Sequence, residues 1–207
     1  MEILRFFPQL NLEHKTLGKE IKGFKMVIQK FVTQSYKIAK DKGFYPDNSP
    51  VEKHITGILS ELFEVYEAHR AGSFTDKAIY TSKWFNNPNS LSDKWCHLYL
   101  KKVKDTFEDE ATDLFIRIFN LSSYLKIKLK DVTPYIENLQ NLSIDKQIIN
   151  INKLILKYDE LGPMLWFSLI LNTLSGFCYL HGINITLHIP VKIEFNKTRE
   201  YLHGNIY

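Results

Sequence analysis

The stretch His54–Gly72 reads HITGILSELFEVYEAHRAG. Ile55, Ile58, Leu59, Leu62, Phe63 and Tyr66 fall at helical spacing and fill an apolar face. Glu61, Glu64 and Glu67 recur every third residue beside that face, a slowly rotating acidic stripe in which Glu61 and Glu64 are close neighbours. Taken alone, such a stripe reads equally as the solvated side of an amphipathic helix. A second stretch, Phe107–Leu129 (FEDEATDLFIRIFNLSSYLKIKL), supplies a counterpart. Glu110 and Asp113 are again three apart, and the apolar series Leu114, Phe115, Ile116, Ile118, Phe119 and Leu121 follows directly, so both carboxylates border a core-facing surface. If the two helices pack antiparallel, four carboxylates converge. Like charges in a partly dry site raise one another's pKa and oppose folding unless cations neutralise them. Oxygen-only ligands of this kind suit Mg²⁺, with Mn²⁺ as the alternative.

The pairing Glu61-x-x-Glu64 with Glu110-x-x-Asp113 resembles the signature of the MazG-like superfamily of all-α nucleoside triphosphate pyrophosphohydrolases. The neighbouring words agree: SELFEVYEAHRAG is similar to that family's SELxEAxEAxRxG, and FEDEATDLFIRIFNL to its FEEELADxxIRxxDL. A third block, Lys192–Tyr207 (KIEFNKTREYLHGNIY), is similar to the closing KxxYNxTRxxxHGxxY. The resemblance implies an all-α helical bundle with a metal site between two acidic helices. It also implies Mg²⁺-dependent cleavage of a nucleoside triphosphate to the monophosphate and pyrophosphate. Glu61, Glu64, Glu110 and Asp113 would be the metal ligands, Glu61 or Glu64 would also serve the attacking water, and a homodimer or homotetramer would be the assembly.

The third block has physical content of its own. Lys192, Asn196 and Arg199 lie at i, i+4 and i+7, so one helical face presents two cations and an amide. That set suits a polyphosphate, with Arg199 able to make bidentate contact; His203 belongs to the same run. The alternative is a basic helix end matching its own dipole. Phe44 and Tyr45, in the loop GFYPDNSP, are further candidates for substrate contact, with packing as the other role. His54, two turns before Glu61 on a similar azimuth, could reach the substrate, but as a lone histidine it reads rather as a capping or packing residue.

The 207 residues permit one domain with a full core. The chain divides into an N-terminal arm (1–23), the two acidic helices separated by an insertion (73–105), extra helices over 131–189 and the closing block. A first helix is expected over Phe24–Lys42. Ser49 at the N-cap with Pro50 and Glu52 is expected to start the second. A short helix from Pro134 to Gln140 and a last one begun near Pro190 complete the expectation. Placing Ile144–Glu160 on Val51–Glu67 aligns Ile148 with Ile55 and Ile151 with Ile58, while Leu154 and Lys157 replace Glu61 and Glu64. This suggests a degenerate internal duplication with an acid-free second half.

Hydrophobic content of 44%, charge content of 24% and a net charge of +4 are ordinary for a soluble protein. Lysines cluster at 101–104 and 126–130, but without a recognition motif they read as solvated helix ends and no nucleic-acid partner is expected. Trp84, Phe85 and Trp95 in the insertion read as core or loop packing, or as a stacking surface for a base. Cys96 and Cys178 lack metal or disulfide spacing, which suits a reducing cytoplasm. Residues 1–15 lack the pattern of a signal peptide. Met164–Leu180 is apolar but shorter than the ~20 residues of a membrane span, so a buried helix is expected. A catalytically weak nucleotide-binding or sensing protein with the same helices is the rival reading.

Overall fold

The computed structural model describes residues 18–80, 82, 93–130 and 132–201, with side chains from residue 28 onward except Lys77 and Tyr80. Most of the expected N-terminal arm lies outside them, as do Trp84, Phe85, His203 and Gly204. The helices are α1 (Gly18–Asp41), α2 (Val51–Arg70), α3 (Lys77–Tyr80), α4 (Asp93–Lys102) and α5 (Phe107–Tyr124), then α6 (Ile144–Ile155), α7 (Tyr158–Leu161), α8 (Pro163–Leu180) and α9 (Ile185–Thr198). No strand occurs among the described residues, and the fold is all-α.

Helix α5 is the central element. It packs against α2, α1, α9 and α8, and thirteen of its residues, from Phe107 to Ser122, are buried. Its start is well specified. Thr106 is the N-cap, its hydroxyl accepting from the Asp109 amide at 3.4 Å, and Glu108, Asp109 and Glu110 place negative charge in the first turn. Helices α2 and α5 run antiparallel: Phe107 N donates to Ser73 O at one end, and the His54 and Tyr124 rings meet 5.1 Å apart at the other. Ile58, Leu62 and Val65 of α2 and Leu114, Phe115, Ile118 and Phe119 of α5 share one core.

The second half closes that core from the other side. Helix α6 packs on α2 and α8, burying Ile148, Ile151 and Ile155. Trp166 of α8 donates its indole N–H to the carbonyls of Leu154 (3.0 Å) and Ile155 (3.2 Å), satisfying acceptors at the end of α6. Helix α8 is long and apolar enough to cross a membrane by composition, yet Trp166, Phe167, Ile170, Leu174 and Phe177 are core residues here. The insertion adds a smaller core, in which Trp95, Tyr99 and Val103 pack on Val191 and Phe195 of α9. Trp95, 2% exposed, is therefore a packing residue.

Four local expectations need correction. Helix α1 starts at Gly18, six residues earlier than expected. Ser49 does not cap α2: Pro50 is the N-cap, and Ser49 Oγ has no partner. No helix follows Pro134: residues 132–136 are irregular and 137–141 form a turn, with Thr133 N donating to Asn172 Oδ1 (2.8 Å) and Tyr135 N to Asn172 O (2.9 Å), so a tertiary contact overrides the local signal. Helix α9 starts at Ile185 and carries Pro190 inside it. That proline removes one helical hydrogen bond, which burial of Ile185, His188 and Ile189 outweighs.

This segment crosses α8 at Gly176, where a Cβ would lie 2.1 Å from the Tyr135 carbonyl oxygen. Only glycine permits this approach. Gly176→Ala is expected to cost about 1–3 kcal/mol in urea unfolding by overpacking. Gly57→Ala, whose Cβ would meet only Arg117 Nη1 at 4.0 Å, is expected to leave stability unchanged or raised by up to about 1 kcal/mol. Equal effects of the two substitutions would contradict the crossing.

Candidate metal and phosphate site

The acidic pairs of α2 and α5 meet in one pocket of about 240 Å³. Carboxylate oxygens of Glu61, Glu110 and Asp113 lie within 4.8 Å of one another. Glu61 and Glu110 are buried, at 7% and 5% exposure, while the Asp113 side chain is partly open. Glu64 lines the same pocket but is exposed, accepts from Ser60 Oγ at 3.1 Å and stands outside the cluster of three. Glu67 has turned away and pairs with Arg70 at 2.6 Å.

Two cations hold the cluster. Arg117, one turn beyond Asp113 on α5, donates Nε–H to Glu61 Oε1 at 2.9 Å. Lys192 of α9 is 2% exposed, and its Nζ lies 2.8 Å from Asp109 Oδ2 and 2.6 Å from Asp113 Oδ2. Asp109 also accepts from the buried Tyr99 hydroxyl and from the Asp105 amide at 3.2 Å. Lys192 therefore reaches carboxylates first, and it anchors Asp113 from behind while still lining the pocket. Asn196 and Arg199 also line the pocket, together with Lys42 and Lys104.

The electrostatics follow from this crowding. Burial, then the Asp113 charge, pushes the Glu61 carboxyl up to about 7, against the pull of Arg117. Burial, followed by Asp113 and Asp109, pushes Glu110 up to about 8. Burial raises Asp109 against the pull of Lys192. For Lys192 burial acts downward, but Asp109 and Asp113 outweigh it and hold the ammonium charged. His54 is not part of this chemistry. It stacks on Tyr45 with centroids 4.4 Å apart, and burial lowers it to about 4, keeping it neutral.

The expected ligands Glu61, Glu110 and Asp113 are thus brought together, with Glu64 at their margin. Asn196 and Arg199 share the pocket, and His203 lies outside the described residues. Sequence reasoning missed Asp109, Arg117 and Asn120. Arg117 and Asn120 had a readable signal, since they continue the Glu110, Asp113 face at helical spacing. Asp109 had none, because its partner Lys192 is 83 residues away. No family model, curated protein or solved structure matches the chain.

Two outcomes are expected. Lys192→Met should destabilise the fold by about 3–5 kcal/mol, because it leaves buried carboxylates without their cation. Adding Asp109→Asn should recover part of that loss, and strict additivity in the double-mutant cycle would contradict the pairing. For the metal-free protein, Glu61 and Glu110 hold protons to higher pH when folded (about 7 and about 8) than at their ordinary value of 4.5. The unfolded chain releases those protons first, so their contribution to stability falls as pH rises through this interval. Between about pH 7.5 and 8.5, a unit or more above the ordinary histidine value and so with histidines largely neutral in both states, stability should decline with pH. The decline should be shallower in Glu110→Gln, and a flat wild-type profile would contradict the raised carboxyls.

Proposed function

We propose that this pocket is the active site of a divalent-metal-dependent hydrolase that cleaves a nucleoside triphosphate between its α- and β-phosphates, releasing the monophosphate and pyrophosphate. The observation that carries the proposal is the convergence of Glu61, Glu110 and Asp113 from two antiparallel helices in a pocket that also holds Lys42, Lys104 and Arg199. Hard carboxylate oxygens in excess of their own cations fit Mg²⁺ or Mn²⁺; burial, then the neighbouring carboxylates, raises Glu61 and Glu110, a cost that a bound cation would relieve. When bound, the ion supplies charge neutralisation on the phosphates and lowers the pKa of water.

The chain's own residues have distinct parts. Arg117 fixes Glu61, and Lys192 with Asp109 fixes Asp113. Glu64, uncommitted to the cluster and exposed at the pocket, is placed to take a proton from the attacking water. That water bonds to the α-phosphorus as the bridging bond to the β-phosphate breaks. Lys104, Lys42 and Arg199 offer positive charge to the departing pyrophosphate. The helix pair α6 and α8, without an acidic pair of its own, packs behind α2 and α5. It fits the supporting half of a MazG-like internal duplication, and a homodimer or homotetramer in the cytoplasm belongs to the same proposal.

The test is pyrophosphate release from a panel of ribo- and deoxynucleoside triphosphates with Mg²⁺. Release is expected from one or a few nucleotides, falling at least about 100-fold in Glu61→Gln and Glu110→Gln. The same metal should raise the melting temperature of the wild-type protein at pH 8 more than that of either variant. No release from any nucleotide, with the metal bound, would make this a nucleotide-binding or sensing module instead.

A further inference from the structure

Asn120 stands on the Asp113 face of α5, seven residues further along, which is two turns and about 10 Å of helix axis. It is 4% exposed, yet it lines the pocket. Its side chain interacts with the Tyr45 hydroxyl. Tyr45 is clamped in turn, stacked on His54 and set edge-on to Tyr36 at 5.5 Å. The remaining amide oxygen, Asn120 Oδ1, has no hydrogen-bond partner. A buried acceptor left in this state is unfavourable, and native proteins satisfy nearly all such atoms. The same pocket also has apolar lining. Ile38, Ala39 and Ile116 are apolar, and the Arg117 guanidinium lies 5.6 Å from the Phe44 ring centroid.

The face of α5 is therefore graded, from Glu110 and Asp113 through Arg117 to Asn120. Its length from acid to amide is comparable with the reach of a nucleotide from the α-phosphate across the sugar to the base edge. We propose that Asn120 Oδ1 reads the base of the bound nucleotide, accepting a hydrogen bond from a ring-edge or exocyclic N–H. This rests on the pocket being a nucleoside triphosphate site. A lone buried acceptor welcomes an edge that donates and leaves any other edge unpaired, which is how a polar site discriminates strongly between similar ligands.

The experiment measures kcat/KM for pyrophosphate release with Mg²⁺ from the uracil, cytosine, adenine and guanine nucleoside triphosphates, using the wild type and Asn120→Leu. In parallel, the wild type is given the preferred nucleotide with its base-edge N–H replaced by N–CH₃. The expected result is a loss of about 10- to 100-fold on the preferred base in Asn120→Leu, with the preference among bases flattened. Mn²⁺ affinity should be unchanged, and the methylated nucleotide should show a matching loss on the wild type. The methylated substrate carries the test even where the variant does not fold. Unaltered base preference in Asn120→Leu together with full activity on the methylated nucleotide would overturn this inference and leave the hydrolase standing. Wild-type protein inert towards every nucleotide would overturn both.

Discussion

Charge buried beside a hydrophobic core governs this molecule. Four carboxylates, Glu61, Asp109, Glu110 and Asp113, meet where α2, α5 and α9 pack, and the cations among the described residues that pair with them are Arg117 and Lys192. Replacing such an arrangement by apolar side chains is often neutral or stabilising, so stability alone does not account for it. The cost is contained by geometry. Lys192 sits between Asp109 and Asp113, Tyr99 closes the remaining side of Asp109, and stacking of Tyr99 on Phe195 at 4.2 Å keeps that wall rigid. What is left uncompensated is negative and faces the pocket, where an external cation can reach it.

Much of the fold was legible because it depends on periodicity. The apolar faces of α2, α5 and α8 are long and regular, and each recovered its helix within a few residues. The misreadings share one cause, which is that a distant contact decided a local question. Pro134 reads as a helix start, but the segment after it is drawn across α8 by Asn172 and by the room left at Gly176. Pro190 reads as the beginning of a helix, yet burial of Ile185 and Ile189 extends α9 back through it.

The site divides in the same way. Residues repeating along one helix face could be found from sequence, and Glu61, Glu110 and Asp113 were. Glu64 shares the Glu61 spacing but not its burial, a difference set by where α5 crosses α2. Lys192 reads as a phosphate ligand because it shares one helical face with Asn196 and Arg199. Its actual partners lie on α5, and nothing local to Lys192 reveals them. Asn120 follows the same periodicity as the acids, although an amide within an apolar run carries no chemical signal of its own.

The Lys192 contact also has a consequence for biosynthesis. Asp109 and its cation are 83 residues apart. At about 5–20 residues per second of synthesis, they are separated on the ribosome by roughly 4–17 seconds. During that interval α2 and α5 can pair through their apolar faces, but Asp109 cannot be dehydrated without its partner. The acidic edge of the nascent bundle must stay hydrated until α9 arrives. Arrival of α9 then seals the edge, making the site among the last parts of the molecule to mature.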